Sequence, residues 1–186
     1  VTDTTRPIIN ESYNLSVEYP AAFLIDMNAT ENYLLDSASW RVNNTDFNAS
    51  GGNLTNLTGL APGKYYLNVS VNDSSDNVGW VLVWVNVTDA TAPIIYESYN
   101  LSIEYPAVFL IDMNATDNLA VDGATWAVNN TNFNASGGNL TNKSGLSVGV
   151  HYINVSVNDT SDNVGWVLMW VNVTDTTRPI INESYN

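Results

Sequence analysis

The chain has 186 residues, 45% of them hydrophobic, with a formal net charge of −14 and a pI near 4.1. Such a charge argues against nucleic acid and anionic membranes as partners, because both are held by basic patches. Cysteine is absent, so disulfides contribute nothing to the fold.

Repetition organises everything else. Residues 1–86 and 87–172 align without a gap at about three quarters identity, and 173–186 (VTDTTRPIINESYN) begins a third copy. A unit of 86 residues is near the smallest size at which a sandwich buries its own core. The expected organisation is therefore repeat 1 at 1–86, repeat 2 at 87–172, and the first strand of a third repeat at 173–186. Its partial third copy reads as an excerpt from a longer array. Charged residues make up only 13%, so solubility rests on Asn, Ser and Thr, a balance unusual for a cytoplasmic protein. No apolar stretch is long enough to cross a bilayer, and neither an initiator Met nor a signal peptide is seen.

Within one copy, Val1–Pro7 reads as a taut linker, since the residue before a proline is pushed to extended geometry. Ile8–Tyr13 and Leu15–Tyr19 read as a broken first strand ended by Pro20. Ala21–Met27 is a second strand with Phe23, Ile25 and Met27 on one face. Asn28–Asp36 reads as a loop, Ala38–Val42 as a third strand carrying Trp40, and Phe47–Leu60 as one or two short edge strands about Gly51-Gly52. Gly63–Asp73 alternates Tyr65, Leu67, Val69 and Val71 with Tyr66, Asn68, Ser70 and Asn72, the period of a strand with one buried face. The Asp73–Asn77 cluster is a polar turn, and Val78–Val87 returns as the last strand. No 3.6-residue pattern occurs. The fold class is all-β: tandem sandwiches of about seven antiparallel strands each.

At Trp40/Trp126, at LAPGKYY (Leu60–Tyr66) and at VNDSSDN (Val71–Asn77), the sequence resembles the immunoglobulin-like and fibronectin-III-like repeats of prokaryotic cell-surface and surface-filament proteins. That resemblance implies a two-sheet sandwich with a corner tyrosine before the sixth strand. The corner tyrosine of the fibronectin-like pattern shares parity with the following valines. Here Tyr66/Tyr152 lies off that parity, and His151 replaces Tyr65 in the second copy.

Of 28 asparagines, 20 sit in N-x-S/T sequons, where residue frequencies predict about five. They are Asn10, Asn14, Asn28, Asn43, Asn48, Asn53, Asn56, Asn68, Asn72 and Asn86, then Asn100, Asn114, Asn129, Asn134, Asn139, Asn142, Asn154, Asn158, Asn172 and Asn182. A merely polar surface explains the composition but not the ordering. N-linked glycosylation explains both.

Acidic positions persist between copies, Glu11/Glu97 and Glu18/Glu104 among them, whereas Arg6, Arg41 and Lys64 become Ala92, Ala127 and Val150. Sandwich topology is expected to gather Asp3, Glu31, Asp36, Asp73 and Asp76 at one end of a domain, and likewise Asp89, Asp117, Asp122, Asp159 and Asp162. Hard oxygen donors of this kind suit Ca²⁺. The alternative is that Asp73 and Asp76 are ordinary turn residues and the rest solvated loop acids. No cofactor is required; N-linked glycans and Ca²⁺ are the groups the chain is suited to carry.

Trp40 and Trp126 read as core. Trp80, Leu82 and Trp84 point one way and Val81, Val83 and Val85 the other, so the last strand is apolar on both faces. Either a covering neighbour or stacking of sugars on exposed indoles accounts for that. Catalysis is excluded as a reading: there is one histidine, no cysteine, and no nucleotide, zinc or nucleophile-elbow spacing. The expected role is structural, a glycosylated repeat of an extracellular, cell-surface fibre or filament. Its partners are neighbouring repeats of the same chain or identical chains, and the third copy either continues covalently or donates its strand. The competing role is an adhesin or carbohydrate-binding surface array.

Overall fold

The computed structural model describes residues 2–10, 14–20, 22–96, 100–106 and 108–182. Tyr13 and Ala21, where expected strands end and begin, fall outside these residues, as do Glu11, Glu97 and the stretch from Glu183 to Asn186. Contacts divide the chain into two compact units, Val1–Ala90 and Thr91–Asn186. The last strand of the first unit runs on to Thr88, two residues past the end of the 86-residue sequence period.

The first unit comprises β1 (Ile8–Ile9), β2 (Leu15–Glu18), β3 (Leu24–Asp26), β4 (Ala29–Thr30), β5 (Leu35–Val42), β6 (Phe47–Ser50), β7 (Asn53–Asn56), β8 (Gly63–Asp73) and β9 (Val78–Thr88). The second repeats this order as β10 (Ile94–Ile95), β11 (Leu101–Glu104), β12 (Leu110–Asp112), β13 (Ala115–Thr116), β14 (Val121–Val128), β15 (Phe133–Ser136), β16 (Asn139–Asn142), β17 (Gly149–Asp159) and β18 (Val164–Thr174). Among the described residues every regular element is a strand.

In each unit a four-stranded sheet, β2-β9-β8-β5 or β11-β18-β17-β14, faces a three-stranded sheet, β3-β7-β6 or β12-β16-β15. Two expectations are corrected here. The segment expected as the loop Asn28–Asp36 contains β4, which pairs antiparallel with β1 through Ile8–Thr30 and Ile9–Ala29. And β2 lies parallel to β9, with Leu15 opposite Val85 and Val17 opposite Val87. The rest of the unit separates these two strands, so no hairpin forces them antiparallel. Of the two short strands expected as edges, only β6 is one; β7 lies between β3 and β6.

The core forms between the sheets from residues of one parity: Leu67, Val69 and Val71 of β8, Val83 and Val85 of β9, and Ile25 and Leu54 opposite, all essentially inaccessible. Trp40 joins them at 3% exposure, while Trp126 packs half-buried against the equivalent core.

Two local devices hold the sandwich's ends. Tyr65 shares parity with Leu67 and Val69, and its hydroxyl donates to the Ala61 carbonyl at 2.9 Å. In the second unit the His151 ring takes that place, with Nε2 donating to Ser147 O at 2.8 Å. The corner bond therefore exists, carried by Tyr65 and His151 rather than by Tyr66 and Tyr152, which are exposed. The second device is Gly79, buried within β9, where an added Cβ would overlap the Pro7 carbonyl; Gly165 stands in the same relation to Pro93. A glycine inside a valine-rich strand marks such a close backbone approach.

Candidate functional site

Three carboxylates converge at one end of the first unit. Asp3 lies in the segment leading to β1, Glu31 directly follows β4, and Asp73 closes β8. One oxygen from each lies within 4.8 Å of the others. Neighbouring amides fix them in place. The Thr5 N–H donates to Asp3 Oδ1 at 3.0 Å, Asn32 Nδ2 reaches the same oxygen at 3.4 Å, and the Asn32 N–H donates to Glu31 Oε1 at 2.6 Å.

Asp73 is the best-held member. Its Oδ1 accepts the Ser75 and Asn77 N–H groups at 2.7 and 2.9 Å, and its Oδ2 accepts Asn77 Nδ2 at 2.7 Å. Asn77 Nδ2 also donates to the Asp3 carbonyl at 3.2 Å, tying the turn to the incoming chain. Burial pushes the Asp73 carboxyl up, but the Asn77 side-chain amide and the Asn77 and Ser75 N–H groups outweigh it and hold the group below the usual aspartate value. Asp159 is held low in the same way, against its burial, by Asn163 and Ser161.

Two buried oxygens have no hydrogen-bond partner, Asp3 Oδ2 and Glu31 Oε2. Buried oxygens of this kind are nearly always paired in folded proteins, and three like charges this close repel. A divalent cation would answer both. The donor set, hard carboxylate oxygen alone, fits Ca²⁺.

The structure does not bring all the expected ligands here. Asp36 sits exposed at a bulge of β5, its Oδ1 accepting the Ala38 N–H at 3.0 Å. The Ser39 hydroxyl fills that bulge, donating to Asp36 O and accepting the Asn72 N–H, both at 2.7 Å. Asp76 is exposed in the left-handed region at φ 65°, which makes it a turn residue. Asp122 and Asp162 repeat those two roles. Asp117 Oδ1 is buried and unpartnered like its counterpart on Glu31, and Asp89 is buried just after β9. By sequence, Asp89, Asp117 and Asp159 are the 86-residue equivalents of Asp3, Glu31 and Asp73.

One acidic pair has a role that its sequence gives no sign of. Glu18 Oε1 accepts the Ala90 N–H at 2.7 Å, and Glu104 Oε1 accepts that of Thr176. Each glutamate clasps the segment that follows the last strand of its own unit. The Thr176 N–H, the Glu104 carboxylate's principal partner, holds that group below the usual carboxylate range.

Most sequon asparagines face outward. Asn10, Asn14, Asn28, Asn43, Asn48, Asn53 and Asn68 are exposed, as are Asn100, Asn114, Asn129, Asn134, Asn139 and Asn182. Asn72, Asn86, Asn154, Asn158 and Asn172 are half-buried on outward-facing strand positions. Asn56 and Asn142 differ. They share the inward parity of Leu54 and Leu140, and Asn142 is only 9% exposed. Asn56 Oδ1 accepts the Phe23 N–H at 3.1 Å while its Nδ2 donates to Thr58 O at 3.0 Å. Asn142 bridges Phe109 and Ser144 in the same manner. Both amides are structural cross-links.

The outer face of the four-stranded sheet is the other notable surface. Tyr66, Trp80 and Leu82 stand on it about 60% exposed, and Tyr152, Trp166 and Leu168 repeat them. Trp84 is partly covered, with Lys64 Nζ 3.9 Å above its ring. In the second unit Val150 stands where Lys64 does, so Trp170 has no such lysine.

No known protein family and no curated protein match this sequence. Solved structures do. Hemolin, an insect immune protein, is similar over 90% of this chain and 47% of its own, at 12% identity and a TM-score of 0.55. Domains A168–A170 of titin are similar over 95% of this chain and 68% of theirs, at 13% identity and a TM-score of 0.55. Immunoglobulin domains 1–4 of Sidekick-1 are matched over 91% of this chain and 49% of theirs, at 16% identity and a TM-score of 0.49. The chain spans about half the length of the Sidekick-1 and hemolin chains that it matches. Together with the all-β topology the hemolin and titin likenesses show the fold: tandem immunoglobulin-like sandwiches. No helix among the described residues is long and apolar enough to cross a membrane.

Proposed function

We propose that this chain is a non-catalytic structural repeat of an extracellular, cell-surface fibre, N-glycosylated on its outward asparagines and stiffened by Ca²⁺ held between Asp3, Glu31 and Asp73. The observation that carries the reading is the placement of the sequons. Thirteen of the 20 asparagines are exposed, and ten of these form five pairs, Asn14/Asn100, Asn28/Asn114, Asn43/Asn129, Asn48/Asn134 and Asn53/Asn139, at equivalent positions of two units that share fold and register. A skin of sugar at this density shields strand edges from pairing and proteolysis. The lone histidine, His151, hydrogen-bonds the Ser147 carbonyl at the domain corner, a structural role that Tyr65 fills in the first unit. Repeats that touch only their neighbours make a rod whose length scales with copy number.

Two measurements test it. Glycopeptide mapping of the chain from its native source is expected to find sugar at several exposed sequons and bare asparagine at Asn56 and Asn142; bare sequons throughout would end the reading. Calcium at a hundredfold excess over its dissociation constant is expected to stabilise the first unit by about 2.7 kcal/mol, read as a higher melting midpoint than in chelator. Asp3→Asn with Glu31→Gln is expected to abolish the response. An identical midpoint in calcium and in chelator removes the ion from the proposal.

A further inference from the structure

On the outer face of the first unit a shallow groove of about 340 Å³ is lined by Asn43, Asn68, Ser70, Val78 and Trp80 and walled by Arg41 and Val42. The second unit has the same groove, about 330 Å³, lined by Asn129, Asn154, Ser156, Val164 and Trp166. Each groove places sequon asparagines beside an exposed indole. Register explains why. Asn68 stands directly opposite Leu82, and Ser70 opposite Trp80, so Asn68 and Trp80 are diagonal neighbours on one face. Such diagonals are about 7–8 Å apart between backbones, within reach of long and aromatic side chains. Asn154 and Trp166 form the same diagonal, with Asn154 opposite Leu168.

We infer that the occupant of each groove is the chain's own N-linked sugar: a pyranose attached to Asn68 lies with its apolar C–H face on the Trp80 indole and against Leu82, and one on Asn154 does the same on Trp166 and Leu168. This rests on the glycosylation proposed above and assigns it a second task, covering an apolar stripe. Four observations favour the tethered sugar. Indole and acceptor are paired by strand register in both units, so the partner arrives already aligned. The Asn68 backbone N–H is tied to Asn43 Oδ1 at 2.9 Å, and that of Asn154 to Asn129 Oδ1 at 2.8 Å, fixing both acceptors against the groove. Asn154 Oδ1 is buried without a hydrogen-bond partner, an acceptor for which a sugar hydroxyl is a suitable donor. Trp80 is the uncovered indole of its strand, since Lys64 already lies over Trp84.

The test is a double-mutant cycle on glycosylated protein. Site occupancy at Asn68 and Asn154 is first measured by mass spectrometry. Melting midpoints are then compared for the parent, Asn68→Gln, Trp80→Ala and the double variant, with Asn154 and Trp166 treated alike. Trp80 is exposed, so its truncation leaves the core intact, and Trp80→Tyr restores an aromatic face. Loss of the sugar is expected to lower the midpoint of the parent and of Trp80→Tyr by about 4 °C or more, to leave Trp80→Ala unchanged, and to shift tryptophan emission to the red. Equal shifts in all backgrounds with the sites occupied overturn this inference and leave the glycosylated fibre standing. Bare Asn68 and Asn154 with sugar elsewhere also overturn it alone. Bare asparagine at every sequon overturns both.

Discussion

Gly79→Ala is expected to destabilise the first unit by about 3 kcal/mol, the upper end of what overpacking a close-fitted site costs. In a unit of this size that lowers the melting midpoint by more than about 10 °C. The added Cβ would occupy the position of the Pro7 carbonyl oxygen, and what must yield is backbone, not the end of a flexible side chain. Displacing Pro7 also lifts the neighbouring Ile8–Ile9 strand from its pairing with Ala29 and Thr30. Gly59→Ala is the control, because nothing lies within 4 Å of its added Cβ. Calorimetry on the two variants decides it: equal midpoints would mean that the entering segment does not bear on β9. Gly165→Ala is expected to do to the second unit what Gly79→Ala does to the first.

Phe47→Ala is expected to cost about 3–5 kcal/mol, the range for emptying an aromatic site in a core. Phe47 is 3% exposed, and its ring lies 5.6 Å from Tyr65, edge-on at 63°, and 6.0 Å from Phe23. It therefore links β6, the approach to β3 and the corner at the start of β8. Phe133 does the same with Phe109 and His151. Urea denaturation provides the measurement, as a lower midpoint at unchanged slope. Tyr65→Phe separates packing from hydrogen bonding. It keeps the ring, loses only the bond to Ala61, and is expected to cost about 1 kcal/mol. Equal losses for the two variants would place the stability in the corner bond instead.

What was legible in the sequence is what obeys a two-residue period. Leu67, Val69 and Val71 against Asn68, Ser70 and Asn72 announce both the strand and its buried face. The same rule, carried one strand back, gives Asn56 the inward parity of Leu54. Its sequon signal concealed that parity, and the structure shows the amide cross-linking Phe23 to Thr58. Long-range placement was less legible. Asp3, Glu31 and Asp73 meet because three separate segments end at one tip of the sandwich. Asp36 and Asp76, from the same loops, are diverted by a bulge and by a left-handed turn. Neither deviation changes hydrophobic alternation, so no periodic signal records it. The parallel pairing of β2 with β9 escaped for a related reason: alternation defines which face a strand buries and is silent about direction.

That parallel pair has a consequence for a chain under tension. β2 lies near the start of its unit and β9 at its end, running the same way side by side. A pull on the two termini therefore slides the strands lengthwise past each other, and the bonds between them are loaded together in shear. An antiparallel pair of first and last strands would instead be opened one bond at a time, like a zip.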